Sequence, residues 1–299
     1  MVGVGCGPGD PSLRVSATMF HVEQIDSFDR PELQPYGTMR RQLEHRQRGI
    51  FVAEGEKVVR RLLESTLEVV SLLLPQKWVE ELRPLLEARS EDVAVFVADK
   101  SLLETLTGFS MYQGLLAVGK VPRQPRLEEL LERSARPLLL AAADGLSSAE
   151  NLGLLVRNCA AFGVHALLVG ETCTSPFLRR AVRSSMGTIF ELPVVETTGL
   201  AKVVADLRCR GIRCIAAHPH ASGRTLSQAE LGCDCCVVFG SEGYGISAGV
   251  LEQCEDAVAI PMAPQVDSLN VGSAAAVFLY EAQRQRWGRD VGRCRPKGQ

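Results

Sequence analysis

The sequence predicts an α/β protein built of two units, on three observations. Short apolar runs alternate with helically spaced segments through most of the 299 residues, as strands and helices do when they layer on a parallel or mixed sheet. The stretch Val121-Pro-Arg-Gln-Pro125 breaks that alternation, because two prolines and their polar neighbours suit neither a helix interior nor a central strand. Three polar, glycine-marked loops lie in the second unit, each placed where an apolar run ends and a helical pattern begins. In an open parallel sheet the strand ends on one edge are where ligands bind, so the three loops are expected to form one site.

Composition bounds the class. The chain is 46% hydrophobic and 23% charged, which is an ordinary globular balance. Its net charge of -2 gives no global nucleic-acid signal, so any basic surface has to be local. No apolar run approaches the roughly 20 residues that cross a bilayer, and no charged-then-apolar leader opens the chain. The expected compartment is the cytoplasm. Ten cysteines in such a setting read as reduced, mostly buried thiols. Cys233, Cys235 and Cys236 form a tight cluster, but no second CxxC or paired histidine answers it, so no metal is expected.

The elements follow in order. Residues 1–35 are rich in Gly, Pro, Asp and Ser and read as a flexible arm. Val2–Pro11 resembles the opening glycine loop of the tetrapyrrole methylases, yet that loop normally follows a buried strand and only Met1 precedes it. Residues 36–120 form the first unit: strands at Ile50–Ala53, Leu67–Leu74, Val93–Val97 and Gly114–Lys120. Helices fall between them at Glu56–Leu63 and Trp78–Ala88. Residues 121–136 are the linker. In 137–299, strands are expected at Leu138–Ala143, His165–Val169, Ile212–Ala216, Cys236–Phe239 and Ala257–Ile260. Ser147 and Glu150 have capping-box spacing for a helix with Leu152, Leu155, Val156 and Cys159 on its apolar face. A last amphipathic helix spans about Leu269 to Trp287, and its small residues Gly272–Ala276 permit a very close neighbour.

The first loop leads into Asn151-Leu-Gly-Leu-Leu-Val-Arg157. Asn151 can cap the helix or contact a ligand. Arg157 sits two turns into a mostly apolar helix and is expected to need a partner there, either a structural carboxylate or a substrate phosphate. Helical spacing does not place it on the face of Asn151. The second loop, Phe239-Gly-Ser-Glu-Gly-Tyr-Gly245, has glycines at 240, 243 and 245 that let the backbone bend and a ligand approach. Its Glu242 suits a ribose hydroxyl or a helix N-terminus. The spacing is neither GxGxxG nor GxxxxGK[ST], which disfavours a standard dinucleotide or triphosphate loop. The third runs from Ile260-Pro-Met262 to Ser268-Leu-Asn270, where Ser268 suits a helix cap and Asn270 can read a hydroxyl or an amide.

Together these segments resemble the SpoU/TrmH family of RNA 2'-O-ribose methyltransferases of the SPOUT class. Asn151, Gly153 and Arg157 match the first family motif, Gly240–Gly243 the second, and Ile260–Met262 with Ser268–Val271 the third. Arg180–Gly187 also resembles the family, and Phe51–Lys57 resembles its small RNA-binding domain. Ser148-Ala149 departs from a frequent Asp-Pro, and Gly272 stands where Ser or Ala is usual. At about 1 kcal/mol of helix penalty, that glycine is expected to affect packing rather than chemistry.

The resemblance implies a trefoil-knotted SPOUT methyltransferase domain over 137–299 and a small L30e-like α/β RNA-binding domain over 36–120. It implies a homodimer whose active site is completed across the interface. S-adenosyl-L-methionine would lie bent in the knot, held at Gly240, Ile260, Met262 and Leu269. Asn151, Ser268 and Asn270 would orient the ribose and Glu242 would support them. A guanidinium does not deprotonate, so Arg157 is expected to clamp phosphate and stabilise a developing alkoxide. Arg40, Arg41, Arg46 and Lys57 are candidate RNA contacts, as are Arg180 and Arg183, with a basic tail from Arg284 and Arg286 to Lys297. Ribosomal RNA is favoured over transfer RNA, and a catalytically silent RNA-binding protein of the same fold is the alternative. Two further readings are weaker: a small-molecule methylase, suggested only by the N-terminal glycines, and a nicotinamide enzyme, which the missing phosphate loop disfavours.

Overall fold

The structure, a computed structural model, describes residues 20–39, 41–107, 114–221 and 223–287. The apolar runs become two sheets. The first has strands β1 (Phe20–Gln24), β2 (Ile50–Glu54), β3 (Val69–Leu74), β4 (Val93–Val97) and β5 (Leu116–Lys120), in the order β1-β4-β3-β5-β2. β4 runs parallel to β1 and β3, while β5 runs antiparallel to β2 and β3. Helices α1 (Gln34–Gly37), α2 (Gln42–Arg48), α3 (Glu56–Glu64), α4 (Lys77–Glu87) and α5 (Lys100–Thr107) accompany it.

The second sheet is wholly parallel. Its strands are β6 (Leu139–Asp144), β7 (Ala166–Val169), β8 (Val194–Glu196), β9 (Arg213–Ala217), β10 (Arg224–Thr225), β11 (Cys235–Gly240) and β12 (Asp256–Ala259). They lie in the order β10-β12-β9-β11-β6-β7-β8. β6 is buried along its whole length, as a central parallel strand covered on both faces should be. The associated helices are α6 (Leu127–Arg133), α7 (Ala149–Ala161), α8 (Arg179–Ser184), α9 (Leu200–Cys209), α10 (Ala248–Leu251) and α11 (Val271–Trp287). From β6 the chain winds outward one way through β7 and β8, then returns to the other side for β9, β11 and β12. That reversal puts a topological switch point between β6 and β11, where open parallel sheets form their ligand crevice.

One apolar cluster spans both sheets. Phe51 of β2 packs its ring 5.3 Å from Phe177 and 5.5 Å from Phe190 of the second unit.

The structure corrects several expectations. The arm of residues 1–35 contains β1, whose FHVEQ sequence is mostly exposed and is held by backbone pairing to β4, so it shows no apolar signal. The glycine-rich Val2–Pro11 lies outside the described residues. The linker contains α6, which buries Leu131 against the second sheet. The cap of α7 is Ser148 rather than Ser147: its hydroxyl accepts the Asn151 N–H at 3.3 Å. Among the described residues no helix is long and apolar enough to cross a membrane.

His165 immediately precedes β7, and its Nδ1 accepts the Leu139 N–H at 3.1 Å. Burial pushes this imidazole below its ordinary range. A depressed imidazole means that the unfolded chain takes up the proton first, so the contribution to stability is present above about pH 6.5 and is lost as pH falls below it. Thermal melts are expected to drop as pH falls below about 6.5, and His165→Gln should flatten that drop. An equal acid slope in the variant would remove His165 from the effect.

Candidate active site

The C-terminal ends of β9, β11 and β12 face one crevice, on the β9 side of the switch point. Gly240 ends β11 with no room for a side chain: a Cβ there would lie 2.2 Å from the Gly245 carbonyl carbon and 2.3 Å from the Ile246 nitrogen. The loop folds back this tightly because Ser241 and Gly245 exchange two backbone hydrogen bonds, at 3.0 and 2.9 Å. Gly245 supplies the left-handed turn with φ of 69°. The buried Asp144 at the end of β6 then accepts the Ser247 N–H at 2.7 Å and ties the loop to the central strand.

Across this loop the three motifs are joined by a chain of side-chain hydrogen bonds. Asn151 donates its amide to Glu242. Asn270 donates to Asn151 Oδ1 at 3.0 Å, and Asn270 Oδ1 accepts the Gly272 N–H at 2.9 Å. The last bond makes Asn270 the cap of α11, a role the sequence suggested for Ser268. Asn270 therefore precedes the helix instead of lying in its first turn. The glycine at 272 serves packing, as expected: a Cβ there would meet Leu154 Cβ at 2.9 Å. Asn158 of α7 donates to the Gly272 carbonyl at 2.6 Å, which fixes α11 against α7. Gly153 is structural too, since a Cβ would lie 2.4 Å from the Ala181 carbonyl oxygen of α8.

Beside this network is a cavity of about 560 Å³. Gly240, Ile260, Met262 and Leu269 line it, with Glu242 and Ser268, and Phe239 and Phe278 add apolar faces. Size and lining suit a drug-sized ligand that carries both flat apolar and polar parts. His218 and His220, just beyond β9, also line the cavity, and the His220 N–H donates to His218 Nδ1 at 3.2 Å. They carry no periodic signal in the sequence because they stand in a polar turn. The apolar strand running directly into His-Pro-His was the available signal.

Arg157 is placed differently from expectation. It is exposed, with no hydrogen bond or ion pair among the described residues, so burial does not demand a partner. Six residues beyond Asn151, it lies about 240° around α7, away from the Glu242–Asn151–Asn270 chain. It shares a face with the exposed Leu154.

The basic candidates divide. Arg41 and Lys57 are exposed, and Arg46 lies 3.8 Å from Glu196 of the second unit. Arg40 lies outside the described residues. Arg180 is 3.4 Å from Glu150, and Arg183 donates to Glu54 at 2.9 Å. Arg284 pairs with Glu281 at 2.7 Å. Arg286 is not part of a solvated tail: it donates to the Leu138 and Cys233 carbonyls at 3.0 and 2.6 Å. Tail residues beyond Trp287 lie outside the described ones. The neighbouring Cys235 is buried, which pushes its thiol up to about 11. Among the described residues no group of three or more His, Cys, Asp or Glu is placed to hold a metal ion.

Comparison with known proteins agrees with this geometry. The model of the SpoU rRNA methylase family matches residues 139–280. An uncharacterized tRNA/rRNA methyltransferase of Mycobacterium tuberculosis (strain H37Rv) is 30% identical over 291 residues, covering 96% of this chain and 93% of the relative. The crystal structure of an RNA 2'-O ribose methyltransferase superposes with a TM-score of 0.74 at 28% identity, covering 88% of this chain and 99% of its own. The SpoU methyltransferase AviRb from Streptomyces viridochromogenes gives 0.73 at 25% identity, covering 86% and 97%. Its complex with the cofactor AdoMet gives 0.74 at 24% identity, covering 86% and 98%.

Proposed function

This chain belongs to the SpoU rRNA methylase family, and we propose that it transfers a methyl group from S-adenosylmethionine to a ribose 2'-hydroxyl of ribosomal RNA in the cytoplasm. The observation that carries this reading is the hydrogen-bond chain from Glu242 through Asn151 to Asn270, set at the mouth of the 560 Å³ cavity. The residues fit the cofactor. Gly240 leaves its backbone open where any Cβ would fill the turn, and Ile260, Met262 and Leu269 offer apolar contact to an adenine ring. A sulfonium supplies an already activated methyl group, so the protein's task is to position and polarise the hydroxyl.

Glu242 fixes the orientation of the Asn151 amide, and Asn151 in turn fixes Asn270. Each amide keeps a further N–H free for ribose oxygens. Ser268 lines the same cavity beside them. Arg157 acts from a second copy of the chain. Arg157 shares its face of α7 with exposed Leu154, which packs on Gly272 at the start of α11, and α11 itself exposes Val277, Tyr280 and Trp287, an apolar surface suited to an isologous dimer. In that arrangement its guanidinium reaches the partner's site, clamps an RNA phosphate and stabilises the developing alkoxide. The packing of α11 on β11, with Phe278 6.0 Å from Phe239, is what a knotted path for residues 260–270 requires. The first unit, L30e-like in its small mixed sheet, presents Arg41, Arg46 and Lys57 to RNA. Arg40 belongs to the same basic run in sequence.

Mapping ribose methylation across ribosomal and transfer RNA in a strain lacking the gene tests this reading. One ribosomal 2'-O-methyl should vanish and return with the wild-type gene. An unchanged ribosomal map, or a loss confined to transfer RNA, would contradict the proposed substrate.

A further inference from the structure

Glu54 ends β2, and Gly55 at φ 94° turns the chain at once into α3. The Glu54 carboxylate therefore remains at the seam between the two units, with its side chain only 13% exposed. Both of its oxygens are taken by α8. Arg179 donates to Oε2, and Arg183 donates to Oε1 at 2.9 Å.

These arginines are not equivalent. Arg179 is largely buried and by itself neutralises the carboxylate, so anchoring the seam does not need a second cation. Arg183 is 61% exposed and uses a single donor on Glu54, leaving most of its five N–H groups facing outward. Arg180 lies three residues earlier on the same helix, is 67% exposed, and stands 3.4 Å from Glu150, the residue before Asn151. The α8 helix is itself seated on α7 at Gly153. On the other side, Arg61 donates to the Met186 carbonyl at 2.7 Å, so the same joint is gripped just after α8.

We propose that Glu54 is a positioning residue for RNA: by holding Arg179 and Arg183 on its two oxygens, it preorganises Arg183 as a phosphate contact and sets the first unit in register with the Asn151 helix. The inference rests on the reading of the chain as an RNA-binding methyltransferase. Without the carboxylate, two adjacent guanidiniums share one site with no counter-charge. They repel, and Arg183 loses the fixed orientation that makes its contact cheap in entropy.

The full chain is tested as wild type, Glu54→Gln, Arg183→Gln, the double variant and Glu54→Asp, with unmodified ribosomal RNA transcribed in vitro as the probe. RNA Kd is measured against salt concentration, alongside cofactor Kd by calorimetry and the melting temperature. Glu54→Gln is expected to weaken RNA binding roughly tenfold and to lower the salt slope by about 1, as loss of one phosphate contact does. Arg183→Gln should do the same, the double variant no worse than either, and Glu54→Asp should recover most of the affinity. Cofactor Kd should stay within about twofold throughout, because Glu54 is remote from the cavity.

A Glu54→Gln protein that melts earlier but keeps the wild-type RNA Kd and salt slope overturns the proposal. So does one that binds RNA more tightly, which would show the carboxylate competing with phosphate. If Glu54→Gln does not fold, Arg183→Gln decides: an unchanged salt slope there is equally fatal. Wild-type protein that binds the RNA but methylates no ribose disposes of the proposed reaction and leaves the Glu54 result to stand or fall on binding alone.

Discussion

Arg157→Ala is expected to lower methyl transfer by at least about 10²- to 10³-fold, the usual loss when one donor to a developing oxyanion is removed. The melting temperature and the cofactor affinity should not move. Arg157 is exposed and makes no hydrogen bond or ion pair among the described residues, so its removal leaves no orphaned partner and no cavity. A residue without a structural role whose loss stops the reaction acts on the substrate. Single-turnover transfer to ribosomal RNA, with calorimetry on the same preparation, separates the two effects. Substantial turnover by the variant would take Arg157 out of the mechanism. Mixing Arg157→Ala with a second inactive variant such as Asn151→Ala extends the test. Partial activity in the mixed dimer is expected if the arginine acts across the interface.

Gly240→Ala is expected to weaken cofactor binding by about two orders of magnitude, equivalent to ~3 kcal/mol at the upper end of overpacking. A methyl at 2.2 Å from the Gly245 carbonyl carbon forces the loop 240–246 to open, and its backbone lines the proposed cofactor cavity. Gly249→Ala is the control. A Cβ at Gly249 meets nothing within 4 Å and Gly249 does not line the cavity, so that variant should bind as wild type does. Equal affinities for both variants, measured by calorimetry, would show that the turn does not shape the cofactor site.

Much of the site is legible in the sequence because its residues sit beside strong signals. Leu138–Ala143 and Cys236–Phe239 are nearly continuous apolar runs, and parallel strands buried on both faces look like that. Their ends locate Asp144 and Gly240 to within a residue. What failed was whatever depends on a partner distant in sequence. β1 is an edge strand with one buried residue, stabilised by main-chain pairing that leaves no mark on composition. β8 has three residues and β10 two, too few to show a period. Two adjacent serines gave two registers for one cap, and the choice of Ser148 follows from where Asn151 must meet Glu242. The pairing of Arg179 and Arg183 with Glu54 joins residues 125 and 129 positions apart, which no local pattern anticipates.

The proposed reaction is methylation of a ribose oxygen of RNA. Purified protein incubated with methyl-labelled S-adenosylmethionine and unmodified ribosomal RNA, followed by complete digestion and mass spectrometry of the nucleosides, tests it directly. The expected result is label in a 2'-O-methyl nucleoside, with the added mass on the sugar fragment. Label on a base fragment, or no label in RNA under conditions where the protein binds the cofactor, would contradict it.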